Sequence, residues 1–179
     1  MLVVNGQTVA VAERVPGHVV GDGVHTVQEL IDIVNRDPRR GVGHEKVLTR
    51  LLVDHQALRL LEQASLTLES VLAAGGVLYL RSTGNLSTGG TAIDRTDEIC
   101  YENKEIAIRA AQVVGLDVAG IDFITPDIAR PITEGGGGIV EVNAAPGFRM
   151  HVAPSEGAPR DVAAPVMDML FPPGAPSRI

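Results

Sequence analysis

The chain has 179 residues, of which 45% are hydrophobic and 21% are charged, and its formal net charge is -7. This composition is typical of a globular protein with a core of its own. The acidic balance argues against general binding to nucleic acid or to an anionic membrane. No apolar run approaches the length of a membrane-spanning helix, and no secretory signal is visible at Met1. The single cysteine, Cys100, excludes an internal disulfide, so we expect a reducing, cytoplasmic setting.

Local signals predict the first elements of the chain. Asn5-Gly6 lies between two runs rich in valine and alanine, which predicts a β-hairpin over residues 2–15. Thr26 and Glu29 have the spacing of a capping box, and the apolar stripe after them predicts a helix that ends at Asp37-Pro38.

A basic, glycine-bearing loop follows at residues 39–46. Its amides and cations could attract a phosphate or a carboxylate, or the loop could simply be solvated. The spacing of a Walker A sequence is absent. A helix with Asp54 as its N-cap is then predicted over residues 51–64, with Leu58 and Leu61 facing the core.

The middle of the chain combines a cation with a loop of small residues. A strand predicted over residues 77–81 ends in Arg81, and the loop after it is rich in glycine, serine and threonine. Small residues allow close approach of the backbone, and amides and hydroxyls offer donors to an anionic ligand. A flexible connection is the alternative interpretation of such a loop.

Two further helices are predicted in the second half. The first covers residues 97–115, ends at Gly115 and has Ile106, Ala110, Val113 and Val114 as its buried stripe. The second covers residues 161–171.

Two apolar runs near the C-terminus carry polar groups. Residues 138–143 are predicted to form a buried strand, and Glu141 and Asn143 share one of its faces. Asp122 lies in the preceding run, residues 118–124, and the strand–loop–strand order predicts antiparallel pairing of the two runs. A carboxylate among apolar residues needs a partner, a proton or a metal, and these oxygens would suit Mg²⁺. The alternative is a solvated strand end.

The order of these motifs along the chain resembles that of a known protein family. An aspartate in an apolar strand, a Glu-x-Asn-x-x-Pro-Gly motif, a strand-end arginine and a Ser/Thr-Gly-Gly loop together resemble the C-terminal half of ATP-grasp ligases. Within that superfamily the resemblance is much closer to the cyanophycin synthetase family than to ribosomal-protein glutamate ligases or glutathione synthetases. The matching segments are residues 21–23, 35–46, 87–94, 119–122, 138–150, 153–157 and 170–174.

The resemblance implies an α+β fold, namely an ATP-grasp C-terminal subdomain with a mainly antiparallel sheet and packed helices. Residues 1–171 would be the C-terminal half of an ATP-grasp domain, and residues 172–179 a linker towards an absent Mur-ligase-like domain. The chain would then be a fragment. It would be inactive by itself, because the phosphate-holding lysines of the family lie in the upstream half.

The implied activity is that of an ATP-dependent carboxylate–amine ligase, which forms an acyl phosphate and adds aspartate to a polymer of aspartate and arginine. Its partners would be ATP, aspartate and the arginine-containing polymer, without nucleic acid or membrane, and the full-length enzyme would be a homo-oligomer. By position, the ligands of two Mg²⁺ ions would be Asp122, Glu141 and Asn143, the catalytic arginine Arg81, and the substrate- or phosphate-binding residues Ser87, Thr88, Gly89 and Gly90.

Two alternatives are kept beside this hypothesis. The chain could belong to another amino-acid ligase of the ATP-grasp superfamily. It could also be a truncated, non-catalytic module for binding or assembly.

Overall fold

The computed structural model describes residues 1–43 and 45–175. Within this part of the chain, no helix has both the length and the apolar character needed to cross a membrane. The strands are β1 (Leu2–Val4), β2 (Gln7–Ala10), β3 (Ala12–Val15), β4 (His18–Val20), β5 (Arg40–Gly41), β6 (Leu48–Thr49), β7 (Val77–Tyr79), β8 (Thr91–Asp94), β9 (Val118–Ile124) and β10 (Gly138–Asn143). The helices are α1 (Val27–Asn35), α2 (His55–Gln63), α3 (Tyr101–Val114), α4 (Ile132–Gly135), α5 (Arg149–Val152) and α6 (Ala163–Leu170), with a 3-10 turn at Leu86–Thr88.

The chain forms two compact units. The first unit consists of Met1–Glu13 with Ile93–Ile179, and the second unit of Arg14–Ala92. A two-stranded ribbon of β3 and β8 contains both points at which the chain passes between the units. The assignment of residues 1–171 to one ATP-grasp half, with a linker after it, stays a prediction, and the last four linker residues lie outside the described ones.

The first unit is built on an antiparallel sheet of four strands in the order β10-β9-β1-β2. The hairpin predicted at Asn5-Gly6 is confirmed, and both residues have positive φ angles, 47° and 71°, as a type I′ turn requires. Strand β1 is buried on both faces. Val3 packs on the side of α3, whereas Leu2 and Val4 pack with Val162 beside α6. The sheet is therefore covered by helices on both faces.

Helix α3 confirms one prediction and corrects two. It ends at Gly115, whose φ of 79° is left-handed as expected for a C-cap, but it begins at Tyr101 and not at residue 97. Val113 and Val114 are 79% and 56% exposed, so their assignment to the buried stripe was wrong. The fully buried face consists of Asn103, Ala107 and Ala111. Two alanines let the helix lie close to the sheet.

The second unit packs α1 and α2 with the ribbon of β4 and β7 around a single apolar core. The predicted caps are confirmed. Thr26 and Glu29 form the reciprocal hydrogen bonds of a capping box, and Asp54 accepts from two backbone amides at the start of α2. Leu61 is buried as expected, but Leu58 is 45% exposed, so its core assignment was wrong.

Candidate functional site

Strands β9 and β10 bring three of the predicted site residues onto one face of the first unit. Glu141 is the direct register partner of Asp122, and Asn143 pairs with Gly120. Opposed residues of an antiparallel pair point to the same side, and so do residues two apart in one strand. The predicted antiparallel pairing is confirmed. The side chains of Asp122, Glu141 and Asn143 therefore share one face of the sheet.

A register shift between Ile139 and Glu141 creates this alignment. Ile139 pairs with Phe123, and Glu141 pairs with the adjacent residue of β9, Asp122. Val140 therefore has no register partner on β9. An extra residue in one strand is a β-bulge, which re-aims the side chains after it. In a regular ladder Glu141 would have paired with Ile121, whose side chain lies in the core on the other face of β9. The bulge therefore brings the two carboxylates together.

Strand β10 is more open than the sequence predicted. Its central residues Ile139, Val140 and Glu141 are all exposed, and Val140 reaches 63%, so the expectation of a buried strand was wrong. The physical reason is its place at the edge of the sheet, where only β9 pairs with it. Asp122 and Asn143 are half-buried. Among the described residues, no group forms a hydrogen bond or an ion pair with the Glu141 carboxylate.

The donor set of this face fits a hard divalent cation. Two carboxylates and an amide oxygen are ligands that Mg²⁺ prefers, and the carboxylates supply two negative charges. Within residues 1–43 and 45–175, no cluster of three or more histidine, cysteine, aspartate or glutamate side chains has a metal-binding arrangement. A bound ion would therefore complete its coordination with water or with oxygens of a substrate, as Mg²⁺ commonly does.

Gly120 lets the turn after β10 pack over the partner strand. A Cβ atom at this position would lie 2.8 Å from the Cβ of Pro146 and 3.4 Å from that of Asn143. The first distance is too short for two carbon atoms, so a larger residue would push the turn and Asn143 away from β9. Gly120, two residues before Asp122, therefore helps to position the third donor, Asn143.

A buried asparagine that the sequence analysis missed holds the connection between β9 and β10. The side chain of Asn103 is 0% exposed, and its Nδ2 donates to the carbonyls of Ile128 and Arg130 at 3.0 and 2.8 Å. Its Oδ1 accepts from the amide of Ile132 at 2.9 Å. These three bonds fix the loop that joins the two donor-bearing strands. The available signal was its position three residues before Ile106, one helical turn earlier on the predicted stripe.

Arg81 is in the second unit and is held by protein acceptors. It is 4% exposed, and its Nη1 and Nη2 donate to the two carboxylate oxygens of Asp54 at 3.1 and 3.0 Å. The same two nitrogens also donate to the carbonyls of Leu80 and Leu52. Since Asp54 is the N-cap of α2, this pair ties the end of β7 to the start of that helix. The predicted phosphoryl contact of Arg81 stays a prediction.

The loop with Ser87, Thr88, Gly89 and Gly90 directs most of its donors inward. The amides of Thr88 and Gly90 donate to the carbonyl of Asn85 at 3.2 and 3.0 Å, and that of Gly89 to the carbonyl of Leu86. Gly89 has a left-handed φ of 97°, which favours glycine. Ser87 is exposed, and in the described part of the chain no group bonds to its hydroxyl. Ser87 thus has the most accessible donor of the four.

Two cations of the basic loop at residues 39–46, Arg39 and Lys46, have local partners, and His44 lies outside the described residues. The Arg39 guanidinium pairs with Asp37 and lowers the pKa of that carboxyl to about 2. Lys46 donates to the carbonyl of Pro38 at 2.8 Å. Arg40 is buried. Most of the other described residues of the loop are exposed, as the solvated interpretation expected.

Comparisons with known proteins bear on this arrangement. A family profile described as the RimK-like ATP-grasp domain matches residues 80–166. The chain is 63% identical over all 179 residues to a cyanophycin synthetase of Crocosphaera subtropica and 61% identical to that of Synechocystis sp., and it covers 20% of each of them. It is 39% identical over 170 residues to a glutathione biosynthesis bifunctional protein of Listeria monocytogenes, of which it covers 22%.

A solved structure shows the same fold. The crystal structure of a bifunctional glutathione synthetase from Pasteurella multocida matches 96% of this chain with a TM-score of 0.80 and 37% identity, and the chain covers 24% of it. The predicted α+β ATP-grasp fold and the resemblance to cyanophycin synthetases are both confirmed. The chain spans about a fifth of the length of the curated relatives it matches.

Proposed function

We propose that this stretch of ATP-grasp polypeptide supplies the metal-binding strands of an ATP-dependent carboxylate–amine ligase. The observation that carries the proposal is the shared face of Asp122, Glu141 and Asn143, in a chain 63% identical throughout to a cyanophycin synthetase. At the finer level, the ligase would add aspartate to a polymer that contains arginine. ATP and amino acids would be its small-molecule partners.

The three donors of the β9–β10 face would hold Mg²⁺, two ions in the complete site. When bound, Mg²⁺ neutralises phosphate charge and orients the transferring phosphoryl group. The chain contributes a half-buried Asp122 fixed in the middle of the sheet and an exposed Glu141 opposite it. Asn143 adds a neutral oxygen, so the set binds a cation without a third charge.

Arg81 and the glycine loop would act on the anionic part of the substrates. A guanidinium fork binds a phosphate as it binds a carboxylate, with two parallel hydrogen bonds. For this role Arg81 would exchange the carboxylate of Asp54, whose side chain is 50% exposed, for a phosphate or acyl-phosphate oxygen. Ser87 would donate its exposed hydroxyl, and Thr88, Gly89 and Gly90 would shape the loop.

The alternative amino-acid ligases are less favoured. Identity to the cyanophycin synthetases is 60–63%, against 38–39% for the glutathione biosynthesis proteins. A homo-oligomeric state and a cytoplasmic setting stay predictions. A non-catalytic module is the competing function of a different class, and a direct exchange experiment separates it from the ligase.

In that experiment, the 179 residues replace the matching segment of the Synechocystis cyanophycin synthetase, and ATP consumption and polymer growth are measured. We expect the exchanged enzyme to ligate aspartate, because the segment is 61% identical to the one it replaces. Folded protein without turnover would favour the non-catalytic module. Turnover with another amino acid in place of aspartate would favour a different ligase.

A matched pair of variants tests the metal assignment in the exchanged enzyme. Glu141→Gln removes one charged donor, and we expect turnover to fall by about 100-fold or more. Glu105→Gln, at an exposed position of α3, makes the same chemical change away from the face and is expected to leave turnover within about twofold. Equal turnover in both variants would refute the role of Glu141.

A further inference from the structure

The second unit contains a cavity of about 300 Å³ that is lined by both apolar and polar residues. The apolar residues of the lining are Val20 from β4 with Leu30, Ile33 and Val34 from α1. The lining also includes Arg40, and His18 from β4. The volume lies at the lower end of the range for small-molecule sites. The residues proposed for metal binding are in the other unit.

The Arg40 guanidinium is buried without a counter-ion. Arg40 is 7% exposed, and its Nη1 donates to the carbonyls of Thr49 and Gly89 at 2.5 and 3.1 Å. Across residues 1–43 and 45–175, its Nε and Nη2 form no hydrogen bond, and no carboxylate forms an ion pair with it. Burial lowers the pKa of Arg40, and the charge of Asp37 opposes that shift.

A buried charge that lacks an ionic partner is costly, and structures normally supply a counter-charge. Asp37, the acidic residue whose charge acts on Arg40, already accepts from Arg39 at both of its carboxylate oxygens, from Nε at Oδ1 and from Nη2 at Oδ2. The two unused nitrogens of Arg40 therefore remain available to a ligand in the cavity. A guanidinium edge with two free donors matches the two oxygens of a carboxylate.

We infer that this cavity is a binding site for a small organic carboxylate with an apolar body. The carboxylate would bind to Arg40, and its aliphatic or aromatic part would lie against Ile33 and the other apolar residues. A smaller apolar cavity, of about 150 Å³, already admits benzene. Inorganic phosphate fits less well, because it would place a fully hydrated anion against an apolar wall.

His18, another residue of the lining, has a defined tautomer. Its Nδ1 donates to the carbonyl of Pro16 at 2.9 Å, so in the neutral ring Nε2 is the acceptor. The ring also packs against Tyr79 at 5.7 Å between centroids. These two contacts hold the His18 ring in place in the lining of the cavity.

The test titrates the 179-residue chain, labelled with ¹⁵N, with benzoate and with its neutral counterpart benzamide. We expect saturable shifts of the Val34 and Gly89 amides with benzoate, with a dissociation constant of about 1 mM, and at least tenfold weaker binding of benzamide. Equal binding of the two compounds would contradict the proposal, as would the absence of saturable shifts. Saturable binding of inorganic phosphate without benzoate binding would also overturn it.

Two variants at the rim keep the test independent of Arg40, whose removal could unfold the unit. Ile33 is 41% exposed, so both Ile33→Glu and Ile33→Gln should fold, which the circular dichroism spectrum checks. Both lose the same apolar contact, but only Ile33→Glu places a negative charge at the cavity. We expect benzoate to bind at least tenfold more weakly to Ile33→Glu than to Ile33→Gln. Equal affinities would exclude an anion in the cavity.

Discussion

The β9–β10 face and the Arg81 region are both polar, but their side chains are used differently. On the face, Glu141 has no protein partner in the described chain and stands opposite a second carboxylate. At Arg81, the guanidinium donates to Asp54 and to two carbonyls, and the neighbouring glycine loop bonds to itself. A charged side chain without a protein partner indicates a ligand site, whereas a charged side chain with protein partners indicates a structural role. The comparison makes the face the stronger site candidate.

The largest expected loss of stability concerns Asn103, which holds the loop between the two strands of the β9–β10 face. Asn103→Ala removes three hydrogen bonds and leaves the buried amide of Ile132 and the part-buried carbonyl of Arg130 without a partner, whereas the carbonyl of Ile128 still accepts from the amide of Cys100. The free energy of unfolding of the first unit should therefore fall by about 3 kcal/mol. Urea titration measures this loss. Glu105→Ala, on the exposed side of α3, should stay within about 0.5 kcal/mol. A loss below about 1 kcal/mol for Asn103→Ala would show that the loop is held by other contacts.

A second effect concerns a buried polar group that has no partner. His151 is 5% exposed, its Nδ1 has no hydrogen bond in the described structure, and burial together with the Met1 ammonium lowers its pKa from 6.5 to about 4. The unfolded chain therefore takes up this proton at a higher pH than the folded chain. The stabilising contribution is complete above pH 6.5 and is lost as the pH falls from 6.5 towards 4, by about 2–3 kcal/mol.

Urea titrations across that pH range measure the slope. His151→Phe should flatten it, because an apolar ring cannot take up the proton. His55→Gln, at an exposed position, should leave the slope as it is. A slope that persists in His151→Phe would assign it to other groups.

The third prediction tests whether Arg81 stabilises the second unit through its protein partners. Arg81→Met leaves the carbonyls of Leu80 and Leu52 without their donor and should lower the stability of the second unit by about 2 kcal/mol. A double-mutant cycle with Asp54→Asn should give a coupling energy of about 1 kcal/mol, since one partner is half exposed. A coupling energy of zero would mean that Asp54 does not hold Arg81 in solution. Arg81 would then be available to a ligand, and the contrast between Arg81 and the β9–β10 face would weaken.

The smallest change in stability is expected for Glu141→Gln, in contrast to the loss expected for Arg81→Met. Glu141→Gln removes a charge that faces Asp122 across the ladder, so without metal the stability should change by less than about 0.5 kcal/mol, or rise slightly. Addition of Mg²⁺ should raise the melting temperature of the unaltered chain and not that of the variant. A large loss of stability in Glu141→Gln would mean that Glu141 has a structural role.

Local features of the fold were predictable because their causes lie within a few residues. The Asn5-Gly6 turn, the capping box at Thr26 and the Gly115 cap depend on short-range geometry, and each is confirmed. The buried face of α3 was not, because Asn103 is buried through contacts with a loop 25 or more residues away. Periodicity alone favoured Val113 and Val114, which are exposed.

In the candidate site, too, the features with local causes were predictable and those that depend on distant contacts were not. The alternation of Glu141 and Asn143 and the antiparallel order were visible in the sequence, so the three donors were predicted together. The bulge that aligns Glu141 with Asp122, and the edge position that exposes β10, depend on sheet assembly. The partners of Arg81 and the burial of Arg40 depend on packing between distant segments, which no local pattern specifies.

Paramagnetic relaxation by Mn²⁺, used in place of Mg²⁺, tests the metal-binding face most directly. In the 179-residue chain, substoichiometric Mn²⁺ should broaden the amide resonances of Asp122, Glu141 and Asn143 before that of Glu105, and Glu141→Gln should require at least tenfold more Mn²⁺ for the same broadening. Excess Mg²⁺ should reverse the effect. Broadening that is unselective, or that is unchanged in Glu141→Gln, would contradict the assignment of this face as the metal site.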